Sequence, residues 1–119
     1  MKTDFESLVK SEDETEYKVE GKKEDFKVKQ ANIINHYGQT NQLNKLIEEC
    51  GELIAAISRY NSQNGMKETL NLIEELADVK NLIEQLELID NKFKEGVKRN
   101  IKYKVNRELE RMKTKWRKL

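Results

Sequence analysis

The sequence contains no proline and only five glycines in 119 residues. Proline breaks helix interiors and glycine weakens them, so their scarcity favours long, uninterrupted helices. A single cysteine, Cys50, excludes a disulfide within one chain and suits a reducing compartment. No apolar run is long enough for a membrane span or a secretory signal peptide. We therefore expect a soluble, cytoplasmic, all-α protein.

An excess of charge of either sign is also lacking. The 23 Lys and Arg residues are balanced by 22 Asp and Glu residues, which leaves a net charge of +1. This balance argues against a general affinity for nucleic acid, although residues 11–20 are acidic and residues 92–119 are basic. Residues 1–25 show no sustained apolar period, so we expect a charged, flexible extension there. One helical domain would then span residues 26–119.

Apolar residues recur at helical spacing in four segments, at about residues 26–37, 41–60, 67–90 and 94–116. Gly38 is predicted to end the first helix, and Thr40 to cap the second. Cys50 falls in the apolar stripe of the second helix and is expected to fill the core. Turn-forming residues 61–65 make only a short connection, which predicts an antiparallel hairpin of the second and third helices. The expected fold is a four-helix-bundle-type core.

Two pairs of carboxylates lie on this hairpin, each with a three-residue spacing. They are Glu49 with Glu52 and Glu75 with Asp78. A three-residue step leaves two side chains about 60° apart and one turn along the helix, so both members of a pair can point at one spot. Four carboxylates in one place repel each other unless a cation lies among them, and Mg²⁺ prefers oxygen ligands. The spacing therefore suggests a metal site.

A helical wheel separates these carboxylates from ordinary surface acids. Glu75 falls inside the apolar arc of the third helix, and Asp78 lies on its border. Glu49 lies at the edge of the stripe of the second helix, and Glu52 lies beyond it. Plain solvent exposure therefore remains an alternative for Glu49 and Glu52, whereas Glu75 would need a cation, a proton or strong donors.

Several other residues suggest substrate contacts. Lys104, Arg107 and Arg111 share one flank of the last helix, which is either a solvated basic face or a partner for the phosphates of a nucleotide. Gln42 and Asn81 have amide groups that could contact the edge of a base, although single amides on helices are more often surface residues.

The arrangement of these motifs resembles that of a known family. Glu49-x-x-Glu52, a spacer of 22 residues, and Glu75-x-x-Asp78 are similar to the ExxE…ExxD signature of MazG-like all-α nucleoside triphosphate pyrophosphohydrolases. The residues that flank these motifs also agree with the family pattern, and the similarity extends over residues 33–112. The chain looks like the short, phage-type branch. Residues 1–25 match nothing in that pattern.

The resemblance implies Mg²⁺-dependent hydrolysis of a (deoxy)nucleoside triphosphate to the monophosphate and pyrophosphate, with Mn²⁺ as a substitute ion. Carried over by position, the metal ligands and catalytic carboxylates would be Glu49, Glu52, Glu75 and Asp78, with Glu49 as the first candidate for the general base. Lys104, Arg107 and Arg111 would hold the β and γ phosphates. The resemblance also implies a homo-oligomer, a dimer or a tetramer, which would complete the core of so small a chain.

Two other functions remain open from the sequence. The related phosphoribosyl-ATP pyrophosphohydrolases share the helical carboxylate architecture, but the sequence motifs characteristic of their substrate site are not found here. A non-catalytic helical module that binds nucleic acid or an acidic partner through the basic last helix is the third possibility.

Overall fold

The chain folds into helices, and the part that the structure describes contains no strand. The computed structural model describes Val19, Gly21, Lys22 and residues 25–118, with side chains as far as Thr114. The helices are α1 (Phe26–Tyr37), α2 (Gln39–Ser62), α3 (Met66–Ile89) and α4 (Asn91–Lys118). The predicted all-α class is confirmed. The extension expected over residues 1–25 falls almost entirely outside the described residues.

Gly38 joins α1 to α2 with a φ of 90°, a backbone conformation that favours glycine. Its N–H donates to the Ile34 carbonyl at 2.8 Å, and its own carbonyl accepts from the Gln42 N–H at 3.1 Å. Gly38 therefore ends one helix and begins the next, as predicted for the first helix. The prediction that Thr40 caps the second helix is wrong, because α2 already begins at Gln39 with Gly38 as its N-cap.

Helices α2 and α3 form the predicted antiparallel hairpin. Near their three-residue connection, Arg59 Nη2 donates to Asn71 Oδ1 at 2.9 Å. At the opposite end of the pair, Gln42 Nε2 donates to Gln85 Oε1 at 2.8 Å. Helix α1 packs mainly against α3 and, less extensively, against α2.

The chain divides into two compact units, residues 1–89 and residues 90–119. Among the residues that the structure describes, the buried apolar side chains all belong to the first unit: Ala31, Ile34, Ala56, Leu82 and Ile89. Three glutamines, Gln30, Gln42 and Gln85, are buried among them. The second unit contains α4, which starts directly after Asp90, whose carboxylate accepts a hydrogen bond from the Lys92 N–H at 2.9 Å. Among the described residues, no helix qualifies as a membrane-spanning segment.

Much of the apolar surface that the helical spacing assigns to a core is exposed in the single chain. Ile47 and Ile54 on α2 are 72% and 69% exposed, and Ile73 on α3 and Ile101 on α4 are also exposed. Cys50 is exposed as well, so the prediction that it fills the core is wrong. The apolar stripe of α2 is wider than the strip that is buried within the first unit.

Candidate functional site

Three of the four predicted carboxylates converge between α2 and α3. Glu49, Glu75 and Asp78 each offer an oxygen atom, and these atoms lie within 4.8 Å of one another. All three residues are half-buried. The antiparallel hairpin brings Glu49 beside α3, and the three-residue step from Glu75 to Asp78 turns both of those side chains toward it. We call these three residues the acidic cluster.

Glu75 is the electrostatically costly member of the acidic cluster. Its Oε2 is buried and has no hydrogen-bond partner among the described residues. Burial raises the pKa of the Glu75 carboxyl above its ordinary value of 4.5, and the neighbouring charges of Asp78, Glu49 and Glu52 raise this pKa further. A carboxylate in this position needs a proton or a cation to offset its lost hydration and the repulsion from its neighbours.

A lysine that the sequence analysis did not single out lies next to the acidic cluster. Lys45 Nζ is 3.4 Å from Glu49 Oε1, and the Glu49 side chain is only 14% exposed. The two residues are four positions apart on α2, which is the spacing of a helical ion pair. That spacing was visible in the sequence and could have identified Lys45.

A cleft of about 560 Å³ opens beside the acidic cluster. Its walls include Glu49 and Asp78 together with Gln42, Asn81 and Gln85. The two amides predicted from the sequence, Gln42 and Asn81, are therefore on the same cleft as two carboxylates. Gln42 is buried, in contrast to the surface position that a single helical amide usually takes, whereas Asn81 is exposed.

Comparison with protein families gives one match at this site. Residues 38–83 match the family model of the MazG nucleotide pyrophosphohydrolase domain. This segment of the chain is therefore similar to that domain. The match covers less than half of the 119 residues, but it includes the acidic cluster, Glu52, Gln42 and Asn81. Neither the curated proteins nor the solved structures gave a match.

The family is one of nucleotide pyrophosphohydrolases, so the match supports hydrolase activity on a nucleotide. The acidic cluster, which lies within the matching segment, also fits a divalent metal ion. It offers three carboxylate oxygens close together, and the buried Glu75 Oε2 lacks a donor. Hard cations such as Mg²⁺ and Mn²⁺ take such oxygen ligands.

Glu52 differs from the other three carboxylates of the MazG-like signature. Its side chain is exposed, and it is not a member of the acidic cluster. It is nevertheless near enough for its charge to raise the pKa of Glu75. Its role as a metal ligand stays a prediction.

The predicted phosphate-binding residues lie on α4, outside the segment that matches the MazG family. Lys104, Arg107 and Arg111 are all exposed. The Arg107 guanidinium is 5.5 Å from the centre of the Tyr103 ring, and Arg111 pairs with Glu108 at 3.6 Å. These cations form an exposed basic flank on the second unit, and their contact with phosphate stays a prediction.

Proposed function

We propose that this chain is a Mg²⁺-dependent nucleoside triphosphate pyrophosphohydrolase, which converts a (d)NTP to the (d)NMP and pyrophosphate. The observation that carries the proposal is the acidic cluster, in which oxygens of Glu49, Glu75 and Asp78 lie close together and the Glu75 Oε2 is buried without a hydrogen-bond partner among the described residues. A buried carboxylate oxygen without a partner lowers the stability of the fold. A bound cation would offset that cost, and closely spaced carboxylate oxygens are ligands that suit a hard divalent ion. The MazG family match supports the same chemistry.

The proposed roles follow from the chemistry of each side chain. Glu49, Glu75 and Asp78, with Glu52 as a fourth candidate, would hold Mg²⁺. Bound there, the ion would neutralise phosphate charge and acidify a water molecule. Glu49, on the cleft wall, is our candidate for the base that accepts the proton from the attacking water.

Two groups of residues are proposed to contact the substrate. Gln42 and Asn81 would contact the base, because their amides line the cleft beside the acidic cluster. Lys104, Arg107 and Arg111 would contact the β and γ phosphates through charge-assisted hydrogen bonds.

The decisive experiment incubates the protein with a panel of nucleoside and deoxynucleoside triphosphates, with Mg²⁺, with Mn²⁺ and with EDTA. We expect the monophosphate and pyrophosphate as products, and only with a divalent ion. Release of pyrophosphate from phosphoribosyl-ATP alone would contradict the proposed substrate class. Release of inorganic phosphate instead of pyrophosphate would contradict the proposed bond.

A pair of variants separates the acidic cluster from general surface charge. Glu75→Gln removes the buried carboxylate and should abolish turnover with the fold intact. Glu74→Gln removes the same charge from the neighbouring exposed position and should leave turnover unchanged. Equal activity of the two variants would refute the assignment.

We also propose that the chain acts as a homo-oligomer, a dimer or a tetramer. Exposed isoleucines on both helices of the hairpin support this proposal, because they form apolar surface on the element that carries the site: Ile47, Ile54, Ile57, Ile73 and Ile83. A second copy of the chain would remove that surface from water.

A further inference from the structure

Four amides and one carboxylate form a continuous chain of hydrogen bonds across three helices. Gln30 Nε2 on α1 donates to Glu84 Oε1 and to Asn81 Oδ1 on α3, each at 3.0 Å. Gln85 Nε2 donates to the same Asn81 oxygen at 3.2 Å, and Gln42 Nε2 on α2 donates to Gln85 Oε1 at 2.8 Å. Gln85 is 1% exposed, and Gln30 and Gln42 are also buried. We call these five residues the amide chain.

Glu84 fixes the direction of every hydrogen bond in the amide chain. A carboxylate at neutral pH offers only acceptors, so Gln30 must turn its NH₂ group toward Glu84. Because the same NH₂ group also donates to Asn81, Asn81 must present its oxygen to it. That oxygen can accept from Gln85 only if Gln85 presents its NH₂ group. The remaining oxygen of Gln85 in turn requires the NH₂ group of Gln42. One acidic residue therefore sets the orientation of four amides.

Three amides of the amide chain line the cleft, and two of them, Asn81 and Gln42, are left with opposite groups outside the amide chain. Asn81 uses its oxygen within the chain, which leaves its NH₂ group as a donor. Gln42 uses its NH₂ group, which leaves its oxygen as an acceptor. Both residues line the cleft that Glu49 and Asp78 also line.

A fixed donor and a fixed acceptor can distinguish bases of equal shape. Cytosine and uracil have inverted donor and acceptor groups at the same ring positions, and so do adenine and hypoxanthine. A site that hydrogen-bonds one member of such a pair leaves buried groups unpaired with the other member. If either amide could rotate by 180°, this distinction would be lost.

We propose that Gln30, Glu84 and Gln85 are positioning residues that hold Asn81 as a donor and Gln42 as an acceptor toward the substrate, and so select its base. This inference rests on the proposed function, because it takes the ligand of the cleft to be a nucleotide. It adds to that function the residues that set base preference. None of the three positioning residues needs to touch the substrate.

The test compares the preference within each inverted pair, dCTP against dUTP and dATP against dITP, as the ratio of kcat/KM. Glu84→Gln keeps the size and an acceptor oxygen but adds a donor, so both directions of the amide chain become possible. We expect the ratio of kcat/KM values within each pair to decrease by about tenfold, toward unity. The change should come from KM, and kcat for the preferred substrate should be retained. Glu87→Gln is the matched control, since Glu87 is a half-buried glutamate on the same helix and outside the amide chain.

A double variant should reverse the direction of the hydrogen bonds in the amide chain while it preserves composition and charge. Gln30→Glu with Glu84→Gln moves the carboxylate to position 30, next to Asn81. Because a carboxylate offers only acceptors, Asn81 then turns its NH₂ group toward position 30 and its oxygen outward. We expect the preference to invert, and a thermal unfolding midpoint recorded for each variant identifies any loss of fold. If both variants fold and keep the wild-type preference, the amide chain only satisfies buried polar groups and the inference is wrong.

Calorimetric binding of dCMP, dUMP, dAMP and dIMP repeats the comparison without turnover. A wild-type protein that binds with a preference sensitive to Glu84→Gln, yet hydrolyses no triphosphate, would refute the hydrolase and support the inference. Turnover without any preference within the inverted pairs would support the hydrolase and overturn the inference. Absence of both binding and turnover would overturn both.

Discussion

Lys45 and Glu49 form an ion pair on one face of α2, with Lys45 Nζ 3.4 Å from Glu49 Oε1. Glu49 also belongs to the acidic cluster, so the lysine partly offsets the charge of the cluster when no metal ion is bound. The Lys45 ammonium group and a metal ion would compete for the carboxylate of Glu49. This competition gives the first prediction.

Lys45→Met should increase the affinity of the nucleotide-free protein for Mg²⁺ and Mn²⁺. Lys45 is half-exposed, and ion pairs of that kind are weak, so the expected gain is about two- to fivefold. Isothermal titration calorimetry measures the change, with Lys67→Met as a control for the loss of one positive charge elsewhere. A lower affinity in Lys45→Met would mean that the lysine supports metal binding.

The contribution of Glu75 to the stability of the metal-free protein should fall as the pH rises above 4.5. Burial and neighbouring acids raise the pKa of folded Glu75 above the ordinary value of 4.5. The folded protein therefore binds more protons than the unfolded chain as the pH rises from 4.5 through the raised pKa, and this difference removes stability over that range. Thermal unfolding between pH 4 and pH 8 in EDTA tests the sign.

Glu75→Gln supplies the control for this pH dependence. A neutral amide cannot titrate, so the variant should lose the Glu75 contribution and gain stability relative to the wild type at pH 8. Saturating Mg²⁺ should reverse the wild-type loss, because an ion that binds only the folded protein stabilises it. A wild type that is more stable in EDTA at pH 8 than Glu75→Gln contradicts the prediction.

The fold could be predicted from local signals. The absence of proline and the spacing of residues such as Leu46, Leu53, Leu82 and Ile89 predicted the helices within about three residues of their ends. Helix α4 begins at Asn91, earlier than predicted, because the Asp90 side chain caps the Lys92 N–H. A cap of this kind depends on a side-chain rotamer, which apolar spacing does not reveal.

The site could be predicted only in part. The wheel position of Glu75 indicated a buried carboxylate, and the buried Oε2 agrees with it. A wheel describes angles within one helix and does not show which sector a neighbouring helix covers. Cys50 was therefore expected to be buried and is exposed, whereas Gln85 was overlooked and is buried. The position of Gln85 between Leu82 and Ile89, at steps of three and four residues, was the available signal.

Metal affinity should separate Glu52 from the acidic cluster. Glu49→Gln, Glu75→Gln and Asp78→Asn each remove an oxygen from the cluster and should weaken Mn²⁺ binding by at least about tenfold. Glu52→Gln removes only a nearby exposed charge and should weaken it less. Calorimetry of the four variants makes the comparison, and an equal loss in Glu52→Gln would establish it as the fourth ligand.

Ile54→Glu should convert the proposed oligomer to a monomer. The side chain is 69% exposed in the single chain, so a charge there costs little in the monomer but much in an apolar interface. Sedimentation velocity or light scattering reports the mass, and Ile54→Val should retain association. A wild-type protein that is monomeric at all concentrations would refute the proposed assembly.

The basic flank of α4 should affect triphosphate binding and leave metal binding unchanged. Lys104→Gln with Arg107→Gln removes two exposed cations, and each charge-assisted hydrogen bond to phosphate contributes roughly 1.5–3 kcal/mol, so KM for a triphosphate should rise at least tenfold. The monophosphate, which lacks the β and γ phosphates, should lose less affinity. Lys98→Gln with Arg99→Gln removes the same charge from the same helix and serves as the control.

The same variants distinguish the hydrolase from a module that binds nucleic acid through α4. Such a module predicts salt-sensitive binding of duplex DNA that survives Glu75→Gln and weakens in both double variants. The hydrolase predicts loss of turnover in Glu75→Gln and a rise in KM only in Lys104→Gln with Arg107→Gln. An equal rise in KM in both double variants would mean that the net charge of α4, and not the proposed flank, attracts the triphosphate.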